Sequence, residues 1–439
     1  MGSGHPKRLS NLISMMKTLV IVNESFAEMF LGKNTTLAYI LAAASSSDVY
    51  VWNFAENFCV KIDEKQAEIL TKKYTEINHQ IRNFSPEVAK VKVKDLIQDF
   101  SVVIPAEAGI RDELTIYSEP VALDPRLRRD DAELKSVTNQ KIPNDEFDLI
   151  IQRLEPMKAP FPPVGEKNIE DVLRDFRAQF PRHIFNCPLG LHDKELEKFS
   201  DIATPTAEFK LSDENYAQAV ASMGDAYEKI YQNSSLGGKK KVVIKPKDLA
   251  QSLGVFALDL AEEKDVKKAC IEHGEELYRG QILAQPFLEG IRQGDIRATI
   301  IKNEKGDFEC VGYTFRKSLR AAESEDFTTG YIVGGSTPRP ISDLTKNEQE
   351  DLQKKCEKVL QVLNGELREK YHDVIELGAD FILVGNDLEV LLGEINHHCP
   401  GLAPITEAMG DEKKYEGGLG IAKRIIEIST SGRTTKPAV

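Results

Sequence analysis

The stretch Leu377–Asn396, LGADFILVGNDLEVLLGEIN, decides how the rest of the chain is read. Two runs rich in apolar and β-branched residues, Ala379–Val384 and Leu388–Asn396, flank the turn signal Gly385-Asn386-Asp387, which is the pattern of a β-hairpin. Side chains alternate along a strand, so Glu394 and Asn396 share one face and Ile395 takes the other. With a three-residue loop centred on Asn386, Asp380 lies diagonally across from Glu394 on that same face. A two-residue turn would send Asp380 to the opposite face. Two carboxylates and an amide presented together suit a hard divalent cation, which takes oxygen ligands and keeps positions for water and phosphate. A half-exposed hairpin with a polar solvent side is the simpler reading of the same pattern, and the rest of the chain has to separate the two.

At 439 residues the chain has room for two or three domains of roughly 100–200 residues each. Its 41% hydrophobic and 29% charged residues are an ordinary soluble composition. A formal charge of −13 argues against general nucleic-acid or anionic-membrane binding, while leaving room for a local basic pocket. No apolar run approaches the roughly 18 residues needed to span a bilayer. Residues 1–16 are short, polar and basic, and are expected to be a disordered extension or tag ahead of the strand-like run Thr18–Val22. The six cysteines are scattered without CxxC spacing, as expected for reduced thiols in a cytoplasmic protein.

Residues 17–60 run strand, helix, strand (KTLVIVNES, TTLAYILAAASSS, DVYVWNF), a βαβ opening that implies a parallel sheet. Lys33-Asn34-Thr35-Thr36 stands at the helix entry, where it caps the helix or receives an anion. Residues 61–145 look irregular, with Arg126, Arg128 and Arg129 in a charged segment whose default is a solvated loop. The buried strand Phe147–Ile151 leads into Gln152–Pro156, at a strand's carboxyl end, where open α/β sheets bind ligands. A domain boundary is expected near residues 184–188, followed by helical signals over Asp193–Ser200. Strand KVVIKP ends in Lys245, which either snorkels to solvent or faces phosphate from within. Strands Ile282–Glu289 and Gly294–Ile301 follow, the second carrying Asp295 and Arg297 on one face. The loop FTTGYIVGGSTPRP contains Gly334-Gly335, suited to close backbone approach to an anion. Helix Lys346–Leu363 precedes the hairpin, and Gly417–Ser429 closes the chain as a helix.

Taken in order, these segments resemble the ATP-grasp ligases, most closely the bacterial glutathione synthetases. The resemblance runs from Lys17 to about Ile428 through GKNTTLAYILAAA, FDLIIQRLEPMKAPF, FNCPLGLHDKELEKF, LAQPFLEGIRQGDIR, VGGSTPRPIS and LGEIN. It implies an α/β protein with an ATP-grasp fold, two α+β subdomains clasping ATP behind a Rossmann-like N-terminal domain. The expected limits are 17–185 for the N-terminal substrate domain, 186–272 for the central lid subdomain and 273–430 for the C-terminal subdomain, with a tail at 431–439. The lid itself is expected over about Thr204–Glu272.

The resemblance also implies roles. Lys198 and Lys245 would contact nucleotide phosphates, backbone around Gln285, Pro286, Phe287 and Leu288 would hold adenine, and Asp295 would meet the ribose. Asp380, Glu394 and Asn396 would bind Mg²⁺, or Mn²⁺ in its place. Arg297 would face the transferred phosphoryl group, with Arg153, Gly334 and Gly335 near the substrates. The implied activity is ATP-dependent joining of γ-glutamylcysteine and glycine through an acyl phosphate, by a homo-oligomer. Departures keep other substrates open. The loop KDLAQSLGV has one glycine, Phe327–Gly330 has no arginine, Ser336 follows the glycine pair, and His397-His398-Cys399 follows Asn396. A different dipeptide, a protein tail, or nucleotide binding without turnover are the alternatives.

Overall fold

A computed structural model describes residues 16–22, 35–53, 58–62, 67–72, 113–116, 140–143, 146–153, 169–179, 184–185, 196–232, 239–247, 254–261, 265–272, 281–318, 336–339, 341–385, 389–397 and 417–431. Strand β1 (Met16–Val22) starts one residue inside the expected extension, and its five apolar or β-branched residues from Thr18 onward are all buried. It pairs in parallel with β2 (Ser47–Asn53), across α1 (Thr35–Ala44), so the βαβ opening is present. β2 carries β3 (Phe58–Ile62) antiparallel at its other edge. A short hairpin of β4 (Glu113–Ile116) and β5 (Gln140–Pro143) lies within the segment expected to be irregular. β6 (Leu149–Arg153) joins β1 in parallel, and after α2 (Ile169–Gln179) the two-residue β7 (Ile184–Phe185) completes the sheet order β3-β2-β1-β6-β7. Helix α1 is apolar on every side, which a helix tolerates only when it is covered all round. The sheet covers one side of it, and the C-terminal helix covers another.

A four-stranded antiparallel sheet follows, ordered β10-β9-β11-β8. It is built from β8 (Ala207–Phe209), β9 (Lys241–Pro246), β10 (Phe256–Asp259) and β11 (Ile282–Pro286), with α3 (Tyr216–Tyr231) and α4 (Val266–Glu272) interspersed. β11 pairs with both β9 and β8, so an expected limit between residues 272 and 273 cuts through this sheet. The helix expected over Asp193–Ser200 is, within the described residues, a single 3₁₀ turn at Glu197–Phe199. Beyond it, Ala203 bridges to Leu392, and the Thr204 N–H donates to the Leu392 carbonyl at 2.8 Å.

The third sheet is antiparallel throughout, ordered β14-β13-β12-β15-β16. Its strands are β12 (Asp295–Lys302), β13 (Phe308–Ser318), β14 (Ser336–Arg339), β15 (Glu376–Leu383) and β16 (Val390–Asn396). One face carries Ile296, Ala298, Ile300, Leu377, Ala379 and Phe381 and packs on α5 (Lys346–Asn364) through Leu352, Val359 and Leu363. A capping box starts α5, with Thr345 Oγ1 accepting from the Glu348 N–H and Glu348 accepting from the Thr345 N–H. The other face is covered at one end by the N-terminal layer. Ile301, Val311 and Ile375 share a core with Val20, α1, and Ile421 and Ile425 of α6 (Gly417–Ser431). Where that cover ends, the same face turns polar. Among the described residues no helix is long and apolar enough to cross a membrane.

The Leu377–Asn396 hairpin closes differently from the expected three-residue loop. The last ladder bond runs from the Val384 N–H to the Glu389 carbonyl, so strand β16 begins at Val390, two residues later than expected. That longer loop by itself would seat Asp380 opposite Gly393 and turn Glu394 to the helix-covered face. A bulge corrects it: Phe381 pairs with Leu392 while Asp380 pairs with Glu394, leaving Gly393 as the extra residue. Asp380 and Glu394 therefore stand directly opposite each other, closer than the expected diagonal. A side chain at 393 would press on Ile382, whose Cδ1 lies 2.7 Å from the site of a Cβ. Because Gly393 is the residue that the bulge sets aside, Gly393→Val is expected to force a side chain against Ile382 and to lower stability by about 1–3 kcal/mol. Urea unfolding checks this, and an unchanged free energy would mean that the bulge has room for a side chain.

Candidate active site

Four neighbouring strands deliver the polar side chains to one patch. Arg297 of β12 stands opposite Asp380 of β15 and donates to it through Nε at 2.7 Å and Nη2 at 2.6 Å, a bidentate pair. Arg316 of β13 stands opposite Asp295 and grips it in the same way, with Nε–Oδ1 at 2.9 Å. Its Nη2 also lies 3.0 Å from Asp380 Oδ2. From β16, Asn396 Nδ2 donates to Asp380 Oδ2 at 2.9 Å and to Glu394 Oε1 at 3.2 Å. Register and alternation explain the gathering, because each of these residues occupies the same side of its strand. Gly294, with φ of +138° and Arg316 O only 2.4 Å from where a Cβ would sit, lets the chain enter β12 beneath that arginine.

Electrostatics follow the pairing. Burial works to raise the Asp380 pKa, but the two guanidinium groups pull it down to about 2. Lys245, buried on β9 of the central sheet, is lowered by desolvation while Glu394 and Asp380 pull it back up. Its side chain is buried and these carboxylates act on it, so Lys245 faces inward and does not snorkel to solvent. The two sheets thus meet across this patch.

The oxygen donors suit a hard cation. The Asn396 amide nitrogen now stands between two carboxylates, where a positive charge is favoured, and turning the amide over presents its oxygen instead. Glu394 keeps free lone pairs, and Asp380 offers those that the arginines leave. These three side chains fit Mg²⁺ or Mn²⁺.

The other expected site residues fall into four groups. Gln285 and Pro286 end β11, and Phe287 and Leu288 form the connector after it, all buried. Lys241 and Arg292 lie over the Phe287 ring at 5.8 and 5.4 Å, and Gln285 Nε2 donates to Thr206 Oγ1 at 2.8 Å. The structure brings this connector alongside the hairpin end, where Tyr231 donates to the Val384 carbonyl at 2.7 Å and accepts from the Glu289 N–H at 2.7 Å. Asp295 is at the patch, but its carboxylate is taken up by Arg316. Lys198 and Arg153 lie apart from the patch. Lys198 is exposed on the 3₁₀ turn and pairs with Glu366 at 3.3 Å. Arg153 ends β6, buried against Glu376 of β15 at 3.3 Å, with its guanidinium 5.0 Å from the Tyr39 ring centre. Gly334 and Gly335 lie outside the described residues, as do Arg126, Arg128, Arg129 and His398. His397 points to the α5 side, its Nε2 2.6 Å from the Tyr371 hydroxyl, which is a packing role. Cys59, Cys270, Cys310 and Cys356 are free thiols.

Arg316, Glu376, Tyr39 and Gly378 were not anticipated. Arg316 had a signal: a lone arginine near the end of the apolar strand Phe308–Ser318, at a hairpin position opposite Asp295. Glu376 and Gly378 are legible only once β15 is known to extend upstream of Ala379.

Residues 228–418 match the protein family described as YheC/D like ATP-grasp. No curated protein sequence matches the chain significantly. Among solved structures, D-alanyl-alanine synthetase A from Vibrio cholerae superposes with a TM-score of 0.52 at 10% identity, over 95% of this chain and 98% of that one. D-alanine-D-alanine ligases from Helicobacter pylori (TM-score 0.47, 14% identity, 96% and 100% covered) and Coxiella burnetii (0.46, 12%, 95% and 96%) are also similar. The chain has the ATP-grasp fold, with mixed α/β content.

Because the folded Asp380 pKa lies below its unfolded value of 3.8, its contribution is present above about pH 4 and is lost as pH falls toward 2. The expected loss is on the order of 2 kcal/mol. Acid-unfolding curves should show this slope in the wild type and a shallower one in Asp380→Asn; equal slopes would mean that the arginine grip does not stabilise the carboxylate.

Proposed function

We propose that the protein is an ATP-dependent ligase that joins a carboxylate to an amine through an acyl phosphate. The observation that carries this reading is the direct pairing of Asp380 with Glu394 on a face that also bears Arg297, with Lys245 turned toward it from the opposing sheet. Such a set handles concentrated phosphate charge, and phosphoryl transfer is catalysed mainly by positioning and electrostatics.

In this reading the substrate carboxylate oxygen attacks the γ-phosphorus of ATP and ADP leaves with the bond electrons. The amine then attacks the carbonyl carbon, phosphate departs, and the amine proton is lost. Lys245 and Arg297 stabilise charge on the transferred phosphoryl group. The connector Gln285–Leu288 holds adenine through backbone groups beside Tyr231. Asp380, Glu394 and Asn396 would hold Mg²⁺ or Mn²⁺, which supplies charge neutralisation at the phosphates. Arg316 orders the patch by fixing Asp295 and Asp380, and Asp295 would reach a ribose only after releasing it. The central sheet acts as the lid that keeps water from the acyl phosphate. Within this class, γ-glutamylcysteine with glycine is the pair implied by the sequence resemblance, and pairs of small amino acids such as D-alanine are suggested by the fold neighbours.

ADP release with ATP and Mg²⁺ across amino acids, D-alanine pairs, dipeptides, and γ-glutamylcysteine with glycine tests the reading. Release that requires one carboxylate and one amine supports it, and the pair names the substrate. ATP binding without release for any pair would overturn it. Glu394→Ala is expected to remain folded and lose turnover by about two to three decades, the scale of one charge partner at 2.7–4 kcal/mol. Lys245→Met is expected to weaken Mg·ATP binding in titration calorimetry, and an unchanged affinity would remove the lysine from the phosphate site.

A further inference from the structure

Glu376 is fully buried four residues before Asp380, and alternation puts both on the same face of β15 with Gly378 between them. Its Oε2 accepts a hydrogen bond from the Tyr39 hydroxyl of α1 and lies 3.3 Å from Arg153 Nη1 of β6. The side chain of Arg297 lies directly over Gly378. A Cβ at that position would stand 3.0 Å from Arg297 Nε and 3.1 Å from its Cδ. Burial pushes the Glu376 carboxyl up, while the charge of Arg153, the Tyr39 hydrogen bond and, least, the charge of Arg297 act to keep it ionised. Two elements of the N-terminal layer therefore fix an anion beside the arginine of the reaction centre. Stability does not require this, since exchanging a buried ion pair for apolar residues of similar volume is often neutral or stabilising.

We propose that Glu376 is a positioning residue: its carboxylate, held by Tyr39 and Arg153, draws the Arg297 guanidinium over Gly378 and so sets where that arginine meets the transferred phosphoryl group. The inference rests on the ligase reading. It assigns the buried pair to the chemistry and makes the N-terminal layer a support for Arg297.

The test uses the full chain and the substrate pair found by ADP release. Glu376→Gln and the double variant Arg153→Met/Glu376→Leu are compared with wild type, with kcat, KM for ATP and Tm measured for each. The single variant is expected to lose Tm because Arg153 is left uncompensated. The double variant is expected to melt within a few degrees of wild type yet turn over about 10–100-fold more slowly, with KM for ATP unchanged. A double variant that melts normally and turns over at the wild-type rate would show a purely structural pair and overturn the proposal. So would a Glu376→Gln variant that loses Tm but keeps its kcat well below its melting temperature. Silence of the wild type with every pair is a different failure, that of the ligase reading, and this proposal falls with it.

Discussion

The carboxylate of Asp380 is where the structure concentrates its constraints. Two arginines from two different strands and an amide from a third converge on it, and the lysine of the facing sheet feels its charge. A buried ion is costly unless each of its lone pairs is met. The strand order β13-β12-β15-β16 brings donors to it from one side to the other and leaves an Oδ1 lone pair for a cation. Each partner depends in turn on a backbone device: the bulge at Gly393, the positive φ of Gly294, and the missing side chain at Gly378.

The central sheet is tied to this patch through a narrow seam. Gly290 and Gly385 approach so closely that a Cβ on Gly385, itself at φ +92°, would stand 2.8 Å from the Gly290 nitrogen. The Gly290 N–H reaches the Val384 carbonyl, and Tyr231 bridges the same carbonyl to Glu289. Hydrogen bonds to backbone and a small apolar cluster of Tyr227, Tyr231, Phe287 and Val384 hold this seam, whereas the N-terminal and C-terminal sheets share a larger apolar core. The smaller junction yields to small rotations more readily than the larger.

Much of this was legible in the residues. The alternation in LLGEIN placed Glu394 and Asn396 on one face without error, and Asp-x-Arg in β12 placed Asp295 and Arg297 together. What pairs with what was less legible, because register depends on loop length and bulges that no local propensity encodes. Asp380 came out on the right face by a different route from the one expected. The resemblance implies a ribose for Asp295, and the structure binds it to Arg316, a contact between strands that only pairing reveals. Arg153 and Glu376 are 223 residues apart, and nothing in either neighbourhood announces the other.

The core shared by α1 and α6 has a consequence for how the protein is made. Leu37 and Ile40 leave the ribosome some 385 residues before Ile421 and Ile425, which help to cover them. At translation rates of about 5–20 residues per second, that interval is roughly 20–80 s. An all-apolar helix must wait through it beside a parallel sheet whose last cover is not yet synthesised. Completion of the N-terminal layer is thus a late event in synthesis, and the nascent chain is a client for whatever shields apolar surface until then.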